Sequence, residues 1–210
     1  VHNMKTLHHI NDESKRRRIA RETMEIYAPL AERMGMNSLK DELEDLAFAT
    51  LNAEMHQSIK TRLNFLRDAS ENSINFILED LKRVLANTGI KGSINGRLKT
   101  PYSIWRKMQR KNIGFEQLSD IMAFRIIVET LPECYQVLGL IHSHYLVVPG
   151  RFKDYISTPK PNNYQSLHTG VIGPLNQRIE AQIRTKDMNK VSELGVAAHW
   201  QYKRGGRVHD

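Results

Sequence analysis

The sequence predicts an α+β fold, with an all-helical stretch preceding a domain built on a mixed β-sheet. Three observations carry this. Residues 11–88 repeat apolar side chains at helical spacing, with no strand-like run among them. From Gly89 onward, short branched runs alternate with helical ones. Within that second part, "RIEAQIRT" alternates apolar and polar residues at the strand period of two.

The helical part reads in order. From Lys15 to Met34, apolar residues Ile19, Ile26, Tyr27, Leu30, Ala31 and Met34 share a stripe, Gly35 is the expected C-cap, and Pro29 is a candidate kink. In "SLKDELEDLAFATL", Ser38 and Asp41 form a capping-box-like start, and Leu39, Leu43, Leu46, Ala47 and Leu51 make the apolar stripe. A further helix runs from about Gln57, with a polar break at "DASENS", through Ile74, Ile77, Leu81 and Leu85 to a stop at "NTG". No chemistry is apparent there.

The second part begins with the strand-like "IKGSINGRLK". A helix follows, with Thr100 as N-cap and Pro101 in the first helical position. "IMAFRIIV" is a nearly unbroken apolar run and predicts a buried strand. "PECYQVLGLIHSHY" predicts a helix starting near Pro132. "SLHTGVIG" and "RIEAQIRT" predict two strands joined through "GPLN", and "NKVSELGVAAHWQYK" a short closing helix.

The 210 residues carry a net charge of +8, unevenly placed. Residues 1–88 are nearly neutral at −1, and residues 89–210 hold +9. A basic field of this kind attracts phosphate, whether free nucleotide or nucleic acid. No run of 18 apolar residues is present, which argues against a membrane span, and the first residues lack the layout of a signal peptide. Cys134 is the single cysteine and no neighbouring motif activates it, so a reducing, cytoplasmic setting is expected. "HH" at 8–9 and "HSH" at 142–144 lack the spacing of a zinc site.

Three constellations carry chemistry. On "RIEAQIR", Glu180, Gln182 and Arg184 share one strand face, which is either an exposed sheet face or a site. Asp120, just before the buried strand, would make a hard oxygen site for Mg²⁺ with Glu180 if the two meet. In "GRLKTPYSIWRKM", Arg97 and Lys99 share a strand face by the period of two, while Ser103 and Lys107 lie one turn apart on the next helix. The helix start adds free N–H groups suited to polyphosphate. The same cations would equally serve a basic helix on nucleic acid. In "RFKDYISTPKPNNYQSLH", Tyr164 could stack on a base with Lys160 and Asn162 beside it, or be a buried structural tyrosine.

Taken together, "GRLKTPYSIWRKM", "LSDIMAFRIIVE", "PGRFKDYISTPKPNNYQSLHT", "IEAQIRTKDM" and "GVAAHWQYK" resemble the (p)ppGpp synthetase domain of the RelA/SpoT family, in the family's order. The resemblance implies a nucleotidyltransferase-like synthetase domain over residues 89–204, a helical linker over 11–88, a remnant of the hydrolase domain's C-terminus in residues 1–10, and a tail at 205–210. It also implies transfer of pyrophosphate from ATP to the 3′-hydroxyl of GDP or GTP, with AMP released. By resemblance, Asp120 and Glu180 hold Mg²⁺, and Glu180 is the base on the 3′-hydroxyl. Arg97 and Arg125 embrace the adenine, and Lys99, Ser103 and Lys107 bind the phosphates of ATP. Arg151, Lys153, Lys160, Asn162, Tyr164, His168 and Gln182 fall on the GDP/GTP side, with Tyr164 stacked on guanine.

The basic Arg151-x-Lys153-Asp154 form resembles family members that also carry a hydrolase, although the hydrolase's histidine–aspartate metal motif is absent from these residues. Hydrolysis of (p)ppGpp is therefore not expected of them alone. Ribosome association is not expected without the family's regulatory region, and RNA binding stays open. The family usually has glycine where Asn163 stands, and asparagine tolerates the same left-handed backbone. Strand parity sets Asp120 and Arg125 on opposite faces unless the strand starts after Asp120 or carries a bulge. The rival reading is a catalytically inactive fragment acting as a nucleotide- or RNA-binding module.

Overall fold

The computed structural model describes residues 1–86, 88–115, 118, 122–176 and 178–195, and for 66–73, 97, 98, 122 and 175 it describes the backbone alone. These residues form two compact units. One comprises Val1–Arg62, Thr100–Asn112 and the segment from Lys190, and the other Leu63–Lys99 and Ile113–Asn189.

The first unit is helical. Helix α1 (His2–Lys5) leads into α2 (Glu13–Glu22), whose N-cap Asp12 accepts the N–H of Lys15 at 3.2 Å. A π turn at Thr23–Tyr27 precedes α3 (Ala28–Arg33). Pro29 has no N–H to return to the preceding turn, and the wider turn absorbs that gap. Gly35 ends α3 with φ +76°. Its N–H reaches Glu32 O at 3.0 Å and the N–H of Met36 reaches Ala31 O at 2.9 Å, the paired bonds of a Schellman cap.

Helix α4 (Asn37–Leu51) starts at Asn37, one residue before the expected Ser38 cap, and has no side-chain cap. Its apolar stripe, with Leu43 and Ala47, meets Met4, Leu7, Ala20, Ala28 and Ala31 in one core. Helix α5 (Ala53–Ala86) runs unbroken for 34 residues. "DASENS" does not interrupt it, because it contains no proline and polar side chains leave the backbone ladder intact. Helix α6 (Pro101–Lys111) packs on α4 and ends at Asn112, which takes the left-handed conformation.

The second unit is a six-stranded mixed sheet: β1 (Ser93–Leu98), β2 (Met122–Val128), β3 (Leu146–Val147), β4 (Lys153–Asp154), β5 (Leu167–Ile172) and β6 (Arg178–Thr185). The order is β1-β2-β6-β5-β3, with β4 also on β5. The β2–β6 pair is parallel and the others antiparallel. Helix α7 (Leu131–His144) starts in a full capping box, with Thr130 and Glu133 exchanging side-chain bonds. Its Cys134, Val137 and Ile141 join Ile77, Leu81 and Leu85 of α5 on one face of the sheet. That face is apolar through Phe124, Ile126, Ile179, Ala181, Ile183, Leu167 and Val171.

Register fixes the opposite face: Ala123 pairs with Glu180, Arg125 with Gln182, His168 with Gln182, and Gly170 with Glu180. Paired residues point to the same side, so β2, β5 and β6 all contribute polar groups there. Helix α8 (Lys186–Leu194) begins at the end of β6, earlier than the closing helix expected from "NKVSEL".

Candidate active site on the polar sheet face

Five of the sequence candidates meet in one hydrogen-bonded chain with Arg184 on the polar face. Lys99 Nζ donates to Glu180 Oε2 at 3.2 Å, and Gln182 Nε2 donates to Glu180 Oε1 at 2.9 Å. Arg184 donates to Gln182 Oε1 at 3.0 Å and to the Tyr164 hydroxyl at 2.9 Å. That hydroxyl lies 2.7 Å from His168 Nε2. The alternation of β6 makes this possible, since positions 180, 182 and 184 follow one another on one face while 179, 181 and 183 fill the core.

The electrostatics follow from burial and partners. Burial pushes the Glu180 carboxyl up, but the ammonium of Lys99 and the bond from Gln182 outweigh it and hold the group below the usual carboxylate range. Glu180 is therefore ionised at neutral pH. Burial pushes His168 down to about 4, so its ring is neutral.

Glu180 and His168 line a cleft of about 360 Å³ together with Arg151, Lys153, Tyr155, Lys160 and Arg178. One carboxylate thus sits among four cations, an arrangement that attracts polyanions. Gly170, paired with Glu180, admits Arg151 to the wall: a Cβ there would lie 2.8 Å from Arg151 Cβ. The turn carrying Lys160 is closed by Asn163 N–H on Lys160 O at 2.8 Å. Asn163 takes φ +58°, the left-handed conformation expected of it. Asn162 Oδ1 accepts the N–H of Tyr164 at 3.2 Å.

Tyr164 is buried, with 8% of its surface exposed. Its hydroxyl is committed to Arg184 and His168, and Lys160 Nζ stands 5.1 Å from its ring centroid. Tyr155, with Lys160 Nζ 4.9 Å from its centroid, is the aromatic that lines the cleft. Asp154 is a loop anchor, accepting the N–H groups of Ile156 and Ser157 at 2.9 Å each and the Tyr135 hydroxyl at 3.0 Å.

Asp120 lies outside the described residues, as does the side chain of Arg97. Arg125 pairs in register with Gln182. Ser103 and Lys107 lie on α6, in the helical unit.

The free N–H groups expected at the start of α6 are not there. Pro101 has none, Tyr102 N–H is taken by Asp45 Oδ1 at 3.0 Å, and Ser103 N–H by Thr100 Oγ1 at 3.3 Å. The next N–H, of Ile104, bonds to Thr100 O. Cys134 is buried, and burial raises its thiol to about 11, far from thiolate formation at neutral pH.

Sequence reading missed Arg178 and Tyr155 as cleft-lining residues. Arg178 shares the parity of Glu180 and was detectable. Tyr155 follows a two-residue strand, which leaves no periodic signal.

A mixed α+β sheet with an ionised carboxylate in a cationic cleft defines a domain suited to phosphate-bearing substrates. The model for the region found in RelA/SpoT proteins matches residues 96–207, and an HD-domain model matches residues 1–37. The chain belongs to the RelA/SpoT family.

It is 50% identical over 210 residues to the GTP pyrophosphokinase rsh of Brucella ovis, covering all of this chain and 28% of that protein. It is 48% identical over 212 residues to the guanosine-3′,5′-bis(diphosphate) 3′-pyrophosphohydrolase of Aquifex aeolicus, covering 99% of this chain and 30% of that protein. The chain thus spans less than a third of these curated relatives. Among solved structures, small alarmone synthetase 1 of Bacillus subtilis bound to its product pppGpp matches with a TM-score of 0.51 and 27% identity, covering 71% of this chain and 84% of that one. The nucleotidyltransferase-like α+β class expected from the sequence is the class observed. No helix among the described residues is long and apolar enough to cross a membrane.

Proposed function

We propose that this chain transfers pyrophosphate from ATP to the 3′-hydroxyl of GDP or GTP, giving ppGpp or pppGpp and AMP. The observation that carries the reading is Glu180, ionised within a cleft that Arg151, Lys153, Lys160 and Arg178 also line. The pyrophosphokinase name of a relative and the product pppGpp bound to a structural neighbour support it.

In this reading the 3′-oxygen attacks the β-phosphorus of ATP, the bond to the α-phosphate bridge breaks, and AMP leaves. Glu180 takes the proton of the 3′-hydroxyl. A carboxylate held below its usual range is a weak base, and general-base help is worth about 10²–10⁴ in rate. Positioning contributes more, on the order of 7–11 kcal/mol. Arg151, Lys153 and Lys160 hold the guanosine nucleotide's phosphates. Guanine enters beside Tyr155 and displaces Lys160 to reach Tyr164, with Asn162, His168 and Gln182 shaping that side. The resemblance gives the ATP phosphates to Lys99, Ser103 and Lys107 and the adenine to Arg97 and Arg125.

Mg²⁺ is usually held by one or two carboxylates together with substrate phosphates. Glu180 fits that role: it is ionised, it lines the cleft, and each of its oxygens has a second lone pair beyond the bonds from Lys99 and Gln182. With Asp120 it would hold the ion, which when bound neutralises charge on the phosphates.

The reading leaves out hydrolysis of (p)ppGpp by these residues alone. Release of pyrophosphate from ppGpp would overturn that part. For synthesis, incubation with labelled ATP, GDP and Mg²⁺ is the test. A labelled guanosine product is expected, and no product above a Glu180→Gln control defeats the reading in favour of a binding module.

A further inference from the structure

Behind the cleft wall lies a cation that the reading above does not use. Arg184 is 1% exposed, among the most deeply buried large side chains of the chain. A buried guanidinium is costly to desolvate, and its position needs a reason. We propose that Arg184 is a positioning residue for pyrophosphate transfer, setting the donor–acceptor sense of the hydrogen-bond chain that ends at Glu180 on one side and His168 on the other. The inference rests on the proposed reaction.

A guanidinium can only donate. Its Nη2 donates one hydrogen to Gln182 Oε1 at 3.0 Å. With the carbonyl end committed, the amide must present its NH₂ to Glu180, which it reaches at 2.9 Å. A flipped amide would set its oxygen against the carboxylate, two acceptors with no proton between them. Glutamine suits position 182 because it can accept from a cation at one end and donate to an anion at the other.

The same Nη2 donates to the Tyr164 hydroxyl at 2.9 Å, with the guanidinium carbon 5.3 Å from the ring centroid. A hydroxyl that receives a hydrogen bond spends its single proton on the other neighbour, His168 Nε2, at 2.7 Å. The neutral His168 ring therefore carries its proton on Nδ1. One hidden cation so dictates the orientation of two groups that line the cleft, Glu180 and His168. Gln182 and Tyr164 act as its couplings.

The test compares wild type with Arg184→Met and Arg184→Lys in two measurements. In synthesis assays, Arg184→Met should lose about 10²-fold in kcat, the scale of a small misplacement in a reacting site, with KM for ATP nearly unchanged. Lysine keeps the charge but carries its single nitrogen on a shorter, flexible stem in place of the rigid Nη2, and should recover only part of the loss. In nucleotide-free protein at neutral pH, ¹⁵N–¹H correlation of the His168 ring should show the Nδ1–H tautomer in wild type and a mixture in Arg184→Met.

Should Arg184→Met fail to fold, Tyr164→Phe removes only the coupling hydroxyl and must release the His168 tautomer in the same way. Unchanged kcat and unchanged tautomer in a folded variant overturn the inference. A wild-type protein with no synthesis at all overturns the proposed function instead, and the ring spectrum still decides the wiring.

Discussion

Asp45 Oδ1 accepts the backbone N–H of Tyr102 at 3.0 Å, across 57 positions of chain. The other oxygen of the same carboxylate lies 3.1 Å from His56 Nε2. A residue of α4 thereby caps the start of α6, and the carboxylate sits where the helix dipole favours negative charge. Asp45→Ala should cost about 0.5–2 kcal/mol, the usual worth of a capping side chain, read as a lower urea midpoint at unchanged slope. A variant as stable as wild type would remove Asp45 from the account of α6.

Lys160 stands over both Tyr155 and Tyr164, at 4.9 and 5.1 Å from their ring centroids. In the proposed reaction it meets the guanosine nucleotide and not ATP. Lys160→Ala is expected to raise KM for GDP severalfold while KM for ATP stays near wild type. Equal changes in both constants would place Lys160 outside the guanosine side.

Gly170 lets Arg151 approach β5. In Gly170→Ala the new Cβ falls 2.8 Å from Arg151 Cβ, an atom too near the backbone to swing away. Overpacking of this kind costs about 1–3 kcal/mol. Thermal unfolding should detect that loss, accompanied by weaker GDP binding as Arg151 is displaced. A neutral substitution would mean that the loop carrying Arg151 yields freely.

Stability should fall on acidification through a defined window. Burial lowers His168 from 6.5 to about 4, so between those values the unfolded chain binds the proton and the folded one does not. Stability then rises with pH across the window and is lost as pH drops from 6.5 toward 4, by up to about 3 kcal/mol for this group. Glu180, held below its usual range, adds to the loss at the acidic end. His168→Asn should flatten the slope of unfolding free energy between pH 4 and 6.5. It should not abolish the slope, because burial also lowers His142. An unchanged slope would show that His168 titrates normally.

Local chemistry was well legible in the sequence. Thr100 and Pro101 start α6 as expected, Gly35 ends α3, Asn163 takes the left-handed turn, and the alternation of "RIEAQIRT" gives both the core face and the site face of β6. What escaped was non-local or too short to be periodic. Strands β3 and β4 are two residues each, and their pairing is set by β5 rather than by their own pattern. The N–H of Tyr102 looked open to phosphate because its partner, Asp45, lies in a different helix. From alternation alone Arg184 reads as part of an exposed sheet face or of a site. Only the fold brings Tyr164 over it and buries it.

The most direct test of the account follows both products of a single incubation of the wild-type protein with γ-labelled ATP, GDP and Mg²⁺. The account predicts a labelled guanosine tetraphosphate and AMP appearing in equal amounts, and neither with Glu180→Gln. Release of ADP in place of AMP, or synthesis undiminished in the Glu180→Gln protein, would contradict it.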